Sequence, residues 1–138
     1  MPLPRALTLD LTTIFGRVVA SLRDELKLSQ AELATPMGWD RSLLARLESG
    51  RNTATIDNIV ELEEAFIQKK LPVDRGDLVT LTCQVVLEAK RRGHRPVYGK
   101  VPKPDGDDPI DAPELDRMVA RIVDDWLTER RKPKRRAR

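Results

Sequence analysis

Residues 29–50, Ser-Gln-Ala-Glu-Leu-Ala-Thr-Pro-Met-Gly-Trp-Asp-Arg-Ser-Leu-Leu-Ala-Arg-Leu-Glu-Ser-Gly, decide the reading of this chain. Ser29 followed three residues later by Glu32 is a capping-box pattern that opens a helix. That helix must stop near Thr35, because Pro36 disfavours helical geometry in the residue before it. Gly38 meets the need for a positive φ in a tight turn. Asp40 is expected to cap a second short helix, which runs to Glu48 and ends at Gly50. Ala34 is small enough for the close approach of two helices meeting at a steep angle. Leu33, Trp39, Leu44 and Leu47 then face inward, which turns Arg41, Ser42, Leu43, Ala45 and Arg46 outward.

The rest of the chain is helical on either side of this segment. Leu11, Ile14, Phe15, Val18, Leu22 and Leu26 recur at three- and four-residue spacing and predict a helix over 11–26, capped by Asp10 or Thr8. Thr55 caps a fourth helix whose apolar face is Ile56, Ile59, Val60, Leu62, Ala65 and Phe66. Asp74 is expected to cap a fifth, with Leu78, Leu81, Val85 and Ala89 as its stripe and Lys90, Arg91 and Arg92 at the negative end of its dipole. Cys83, within this helix, is expected to be a buried thiol. A last helix over 113–130, capped by Asp111, carries Leu115, Met118, Val119, Ile122, Trp126 and Leu127.

The expected fold is therefore all-α. It divides into an N-terminal arm (1–9), a domain with an extended fifth helix (10–92), a Pro/Gly/Asp-rich linker (93–112), a C-terminal amphipathic helix (113–130) and a basic tail (131–138). Val97-Tyr98 in the linker can form a short strand or dock on the core, and docking is the expectation.

Composition narrows the function classes. The single cysteine allows no intramolecular disulfide. No apolar run approaches a membrane span, and no signal peptide is legible, so a cytoplasmic protein without membrane contact is expected. One histidine, His94, and no ligand cluster give an enzyme almost no support, and no cofactor or metal is expected. The charge is unevenly divided. Residues 1–70 carry a net −1, residues 71–129 a net −3 and residues 130–138 a net +7. Overall basicity is thus no argument that the body of the protein binds nucleic acid. That argument must rest on the few residues that face outward from 41–46.

Those residues are suited to it. An exposed arginine on the N-terminal half of a helix can bond bidentately to guanine, and a serine hydroxyl can meet several base edges. Arg41, Ser42 and Arg46 are the expected base contacts. Gln30, Ser49 and Arg51 are the expected phosphate contacts, Gln30 together with the free backbone N–H groups of its helix. Ala45 lies on the same face. Leu43 is an apolar residue facing outward, able to touch a thymine methyl or to pack on a partner protein.

Phe15-Gly16 with Leu22-Arg23, then Leu28-Ser29-Gln30-Ala31-Glu32-Leu33-Ala34, Gly38, Leu44 with Leu47-Glu48, and Gly50 complete the pattern. Over residues 15–66 the chain resembles the helix-turn-helix domain of the XRE family, which includes the Cro and phage repressor proteins. The resemblance implies a five-helix bundle, here extended by the linker and a C-terminal helix, whose third helix enters the DNA major groove. It also implies a buried ion pair between Arg23 and Glu48. Pro36 and Trp39 depart from the family pattern, and the second helix should be shorter for it.

The resemblance predicts a regulator, expected to be a repressor, that binds an inverted repeat in double-stranded DNA as a homodimer. Leu115, Met118, Val119, Ile122 and Trp126 are the expected dimer contact, against the alternative that this helix packs on its own domain. The tail is expected to touch DNA backbone, or otherwise to be a solubilising end. The alternative function is an antitoxin, in which the linker and last helix mask a toxin.

Overall fold

The computed structural model describes residues 8–97 and 112–132. Most of the expected arm, the linker from Tyr98 through Asp111, and the tail from Pro133 lie outside the described residues.

Among these, six α-helices and one pair of short strands run in the order β1 (Thr8–Asp10), α1 (Leu11–Glu25), α2 (Gln30–Ala34), α3 (Arg41–Glu48), α4 (Ile56–Gln68), α5 (Asp77–Arg91), β2 (Arg95–Val97) and α6 (Ala112–Arg131). The fold is all-α apart from the strand pair. The middle of the bundle is α1, whose Ile14, Val18, Val19 and Leu22 are fully buried and which packs against α3, α5 and α6. Its first turn is closed by the Asp10 carboxylate, which accepts from the Thr13 amide at 2.6 Å. Two capping boxes open α2 and α4: Ser29 with Glu32, and Thr55 with Asn58.

Four expectations need correction. Residues 8–10 and 95–97 are not arm and linker, because they pair as parallel strands in the register Thr8↔Arg95, Leu9↔Pro96, Asp10↔Val97. Pro96 can donate no ladder bond and is tolerated because each strand is an edge. The fifth helix starts at Asp77, not after Asp74. Its first amides are capped from α4, where the buried Glu63 carboxylate accepts from Gly76 N at 2.8 Å and Leu78 N at 3.2 Å. Cys83 is exposed. Leu78, Leu81, Val85 and Ala89 bury one side of α5, while Cys83 falls on the other with the exposed Val79 and Leu87, four residues to either side. On α4, Ile56 and Val60 are also exposed.

The fourth correction concerns α6. Leu115, Met118 and Val119 are buried against the chain's own α1 and α5, together with Val123 and Leu127. They are core, not a dimer surface of the single chain. Ile122 and Trp126 are only partly buried. Ion pairs fix α6 along its length: Arg17–Asp116 to α1 at 3.3 Å, Arg121–Glu88 to α5 at 3.3 Å, and Arg130 to Asp74 and Asp77 at 3.2 and 3.4 Å. Arg130 also lies over the Trp126 ring, 4.6 Å from its centroid.

Candidate nucleic-acid interface

The second helix ends where Pro36 predicts. α2 stops at Ala34, a 3-10 turn spans Thr35–Met37, and Gly38 takes the left-handed conformation at φ 75°. Gly38 N donates to Thr35 O and Trp39 N to Ala34 O, each at 3.0 Å, which closes the turn. Ala34 and Leu33 are buried beneath it. Trp39 is half-buried and reaches across to α4, where its indole N–H donates to Glu61 at 2.6 Å. At the start of α2 the Ser29 backbone hydrogen bond holds the Glu32 carboxyl below the usual carboxylate range, so the capping box is intact at neutral pH.

The third helix is seated by Leu44 and Leu47, both buried, and by Gly16 on α1. A Cβ at Gly16 would lie 2.3 Å from the Leu47 carbonyl oxygen, so the two helices cross in direct backbone contact. The expected ion pair is present, with its Glu48 end buried and its Arg23 end half-buried. Arg23 Nε donates to Glu48 Oε2 at 2.8 Å and Nη2 to Oε1 at 2.9 Å, a two-pronged contact, while Nη1 donates to the Leu28 carbonyl at 2.7 Å. Hydrogen bonding to Glu48 raises the Arg23 pKa above its already high ordinary value. One side chain thus ties α1 to the segment leading into α2 and to the end of α3.

With that face fixed, the opposite one is open. Arg41, Ser42 and Arg46 are exposed, and Leu43 and Ala45 are half-buried beside them. Asp40 stands at the N-cap with extended backbone, but its carboxylate makes no capping bond. Following α3, the Ser49 hydroxyl donates to the Arg46 carbonyl at 3.1 Å, and the exposed Arg51 donates its backbone N–H to the same carbonyl at 2.9 Å. With the Asn52 amide turned to satisfy its neighbours, its oxygen accepts from Arg46 Nε at 3.1 Å. The sequence carries no signal for Asn52, which lies beyond the helix whose side chain it steadies.

Gln30 differs most from its expected place. Its side chain lies between α1's ion pair and α3 rather than standing free at the start of α2. Nε2 donates to Glu48 Oε1 at 3.0 Å, and Oε1 accepts from Arg41 Nη1 at 3.2 Å. Both ends of the amide are engaged within the protein.

Residues 19–68 match the family model described as Helix-turn-helix. Nothing among curated proteins or solved structures matches the chain. No helix among the described residues is long and apolar enough to cross a membrane. The matched span starts within α1 and ends with α4, and it contains the turn at Gly38, the Arg23–Glu48 pair and the exposed face of α3. Residues 19–68 are thus a helix-turn-helix segment of the XRE type, the kind carried by DNA-binding regulators of transcription.

Proposed function

We propose that the protein is a sequence-specific repressor that binds an inverted repeat in double-stranded DNA, one α3 in the major groove of each half-site. The observation that carries this is the two-sidedness of α3. Leu44, Leu47 and Glu48 are buried, while Arg41, Ser42 and Arg46 are exposed along the other face. Two copies on adjacent half-sites would place their third helices about 34–36 Å apart. Arg41, Ser42 and Arg46 read base edges, with Leu43 and Ala45 in apolar contact. Ser49 and Arg51 hold backbone phosphate. A duplex selected from a random-sequence pool provides the operator for the test. Arg41→Ala with Arg46→Ala should then lower specific affinity by at least tenfold, as removal of a base-edge hydrogen-bond pair worth about 1–3 kcal/mol requires. Affinity within twofold of the parent would remove these residues from base readout.

The tail supplies bulk attraction in this reading. The near-neutral body cannot, and residues 133–138 carry four basic and no acidic side chains. Truncation after Lys132 keeps Arg130 on Asp74 and Asp77 and removes only those charges. The log–log slope of binding against salt should flatten by about 0.9 for each phosphate that the truncated protein no longer neutralises. An unchanged slope would take the tail out of the mechanism. An antitoxin that masks a toxin with its last helix needs a free apolar stripe, and α6 uses its own in the core.

A further inference from the structure

We infer that Gln30 and Glu48 are positioning residues for Arg41: a polar chain that begins at the half-buried Arg23 sets which donors of the Arg41 guanidinium face the DNA. This rests on the reading of α3 as the base-reading helix. The chain runs through three helices. Arg23 on α1 grips both oxygens of Glu48 at the end of α3, at 2.8 and 2.9 Å. Glu48 Oε1 accepts from Gln30 Nε2 at 3.0 Å, and Gln30 Oε1 accepts from Arg41 Nη1 at 3.2 Å.

Each link has only one polarity. An ionised carboxylate accepts and does not donate, so the end of the Gln30 amide that faces Glu48 must be its NH2 group. The carbonyl end is thereby turned to Arg41, which has donors only. Were the amide reversed, two sets of N–H groups would oppose each other and the guanidinium would swing away. The half-buried Arg23 charge therefore dictates the orientation of a surface residue three links distant. The bond to Gln30 engages Nη1 and leaves the Nε and Nη2 donors as a complete fork, the arrangement that pairs with O6 and N7 of guanine. Holding a long, flexible side chain in that pose before binding removes part of the ordering cost of the contact. Gln30 accordingly acts on DNA through Arg41, not by its own side chain on phosphate.

Gln30→Met tests this, because it keeps the length and packing of the side chain and removes both bonds. In the DNA-free protein, exchange of the Arg41 guanidinium protons, followed by nitrogen-15 NMR, should be slower in the parent than in Gln30→Met. Equal exchange overturns the proposal whether or not a DNA site is found. On a duplex selected from a random pool, Gln30→Met should weaken binding roughly five- to tenfold, the scale of one hydrogen bond. In an Arg41→Ala background the same change should cost less than twofold. Additive losses would show that Gln30 contacts DNA independently of Arg41 and would overturn it. Failure of the parent to enrich any duplex would sink the reading of α3 while leaving the exchange measurement to decide the positioning.

Discussion

Two glycines in the helix-turn-helix do different physical work. A Cβ at Gly16 would meet the Leu47 carbonyl oxygen at 2.3 Å and that of Glu48 at 2.7 Å, and backbone cannot move aside as a side chain can. At Gly38 a Cβ would meet nothing within 4 Å, but φ is 75°. Gly38→Ala should therefore cost only the left-handed backbone penalty, about 1–2 kcal/mol. Gly16→Ala must part α1 from α3 and should cost more, about 3 kcal/mol or above, at the upper end for overpacking. Urea unfolding of both variants reads the difference, and equal losses would mean that α1 and α3 do not cross in backbone contact. At this scale the sequence is informative where a residue type answers a local need: Gly38 for its φ, Pro36 for its stop, Ser29 and Glu32 for their mutual cap. Gly16 belongs to a motif but announces no reason, since its neighbour is thirty-one positions away in the chain. The place of Gln30 is hidden for the same cause, because its partners lie on α3.

Element boundaries show the same division between local and distant causes. The starts of α1, α2 and α4 follow from caps within four residues of each helix. The start of α5 does not, because Glu63 on α4 supplies its cap, and Asp77 turns back to accept from Asp74 N at 2.7 Å. Glu63 is only 4% exposed, so its carboxylate is held by the amides it serves and by the positive end of the helix dipole. Glu63→Met keeps the volume and leaves the Gly76 and Leu78 amides without that acceptor. The expected loss is about 1–3 kcal/mol, the cost of a buried donor left unpaired. Hydrogen exchange at Leu78 should accelerate with it, while exchange in α2 and α3 stays as in the parent. Unchanged exchange at Leu78 would show that α5 does not depend on a cap from α4. Helical phase is less legible than helical presence. The apolar residues of α4 and α5 exceed what one buried face can hold, so Ile56, Val60, Val79, Cys83 and Leu87 are left in solvent.

In the whole molecule, α6 decides what kind of object the domain is. An amphipathic helix beyond a Pro-rich segment is expected from sequence to be an interface, with the last layer of a core as the alternative, because periodicity states that a face is covered but not by what. Ion pairs of Asp116, Arg121 and Arg130 and five buried apolar residues tie it to α1 and α5. Exposed ion pairs add little energy. The buried residues carry the attachment, and the stripe is centred on Val119, Val123 and Leu127 rather than on Ile122 and Trp126. Since α1 also seats α3 through Gly16 and Arg23, α6 backs the helix against which the exposed face of α3 is held. Leu127→Ala, at a side chain with no exposed surface, should cost about 2–5 kcal/mol and leave the solution mass of the protein unchanged. Ile122→Asp, at a half-buried position, should change stability less; if this edge joins two copies, it is the variant that lowers the mass. A lower mass for Leu127→Ala with stability preserved would reverse the assignment and make the buried stripe of α6 an interface between chains.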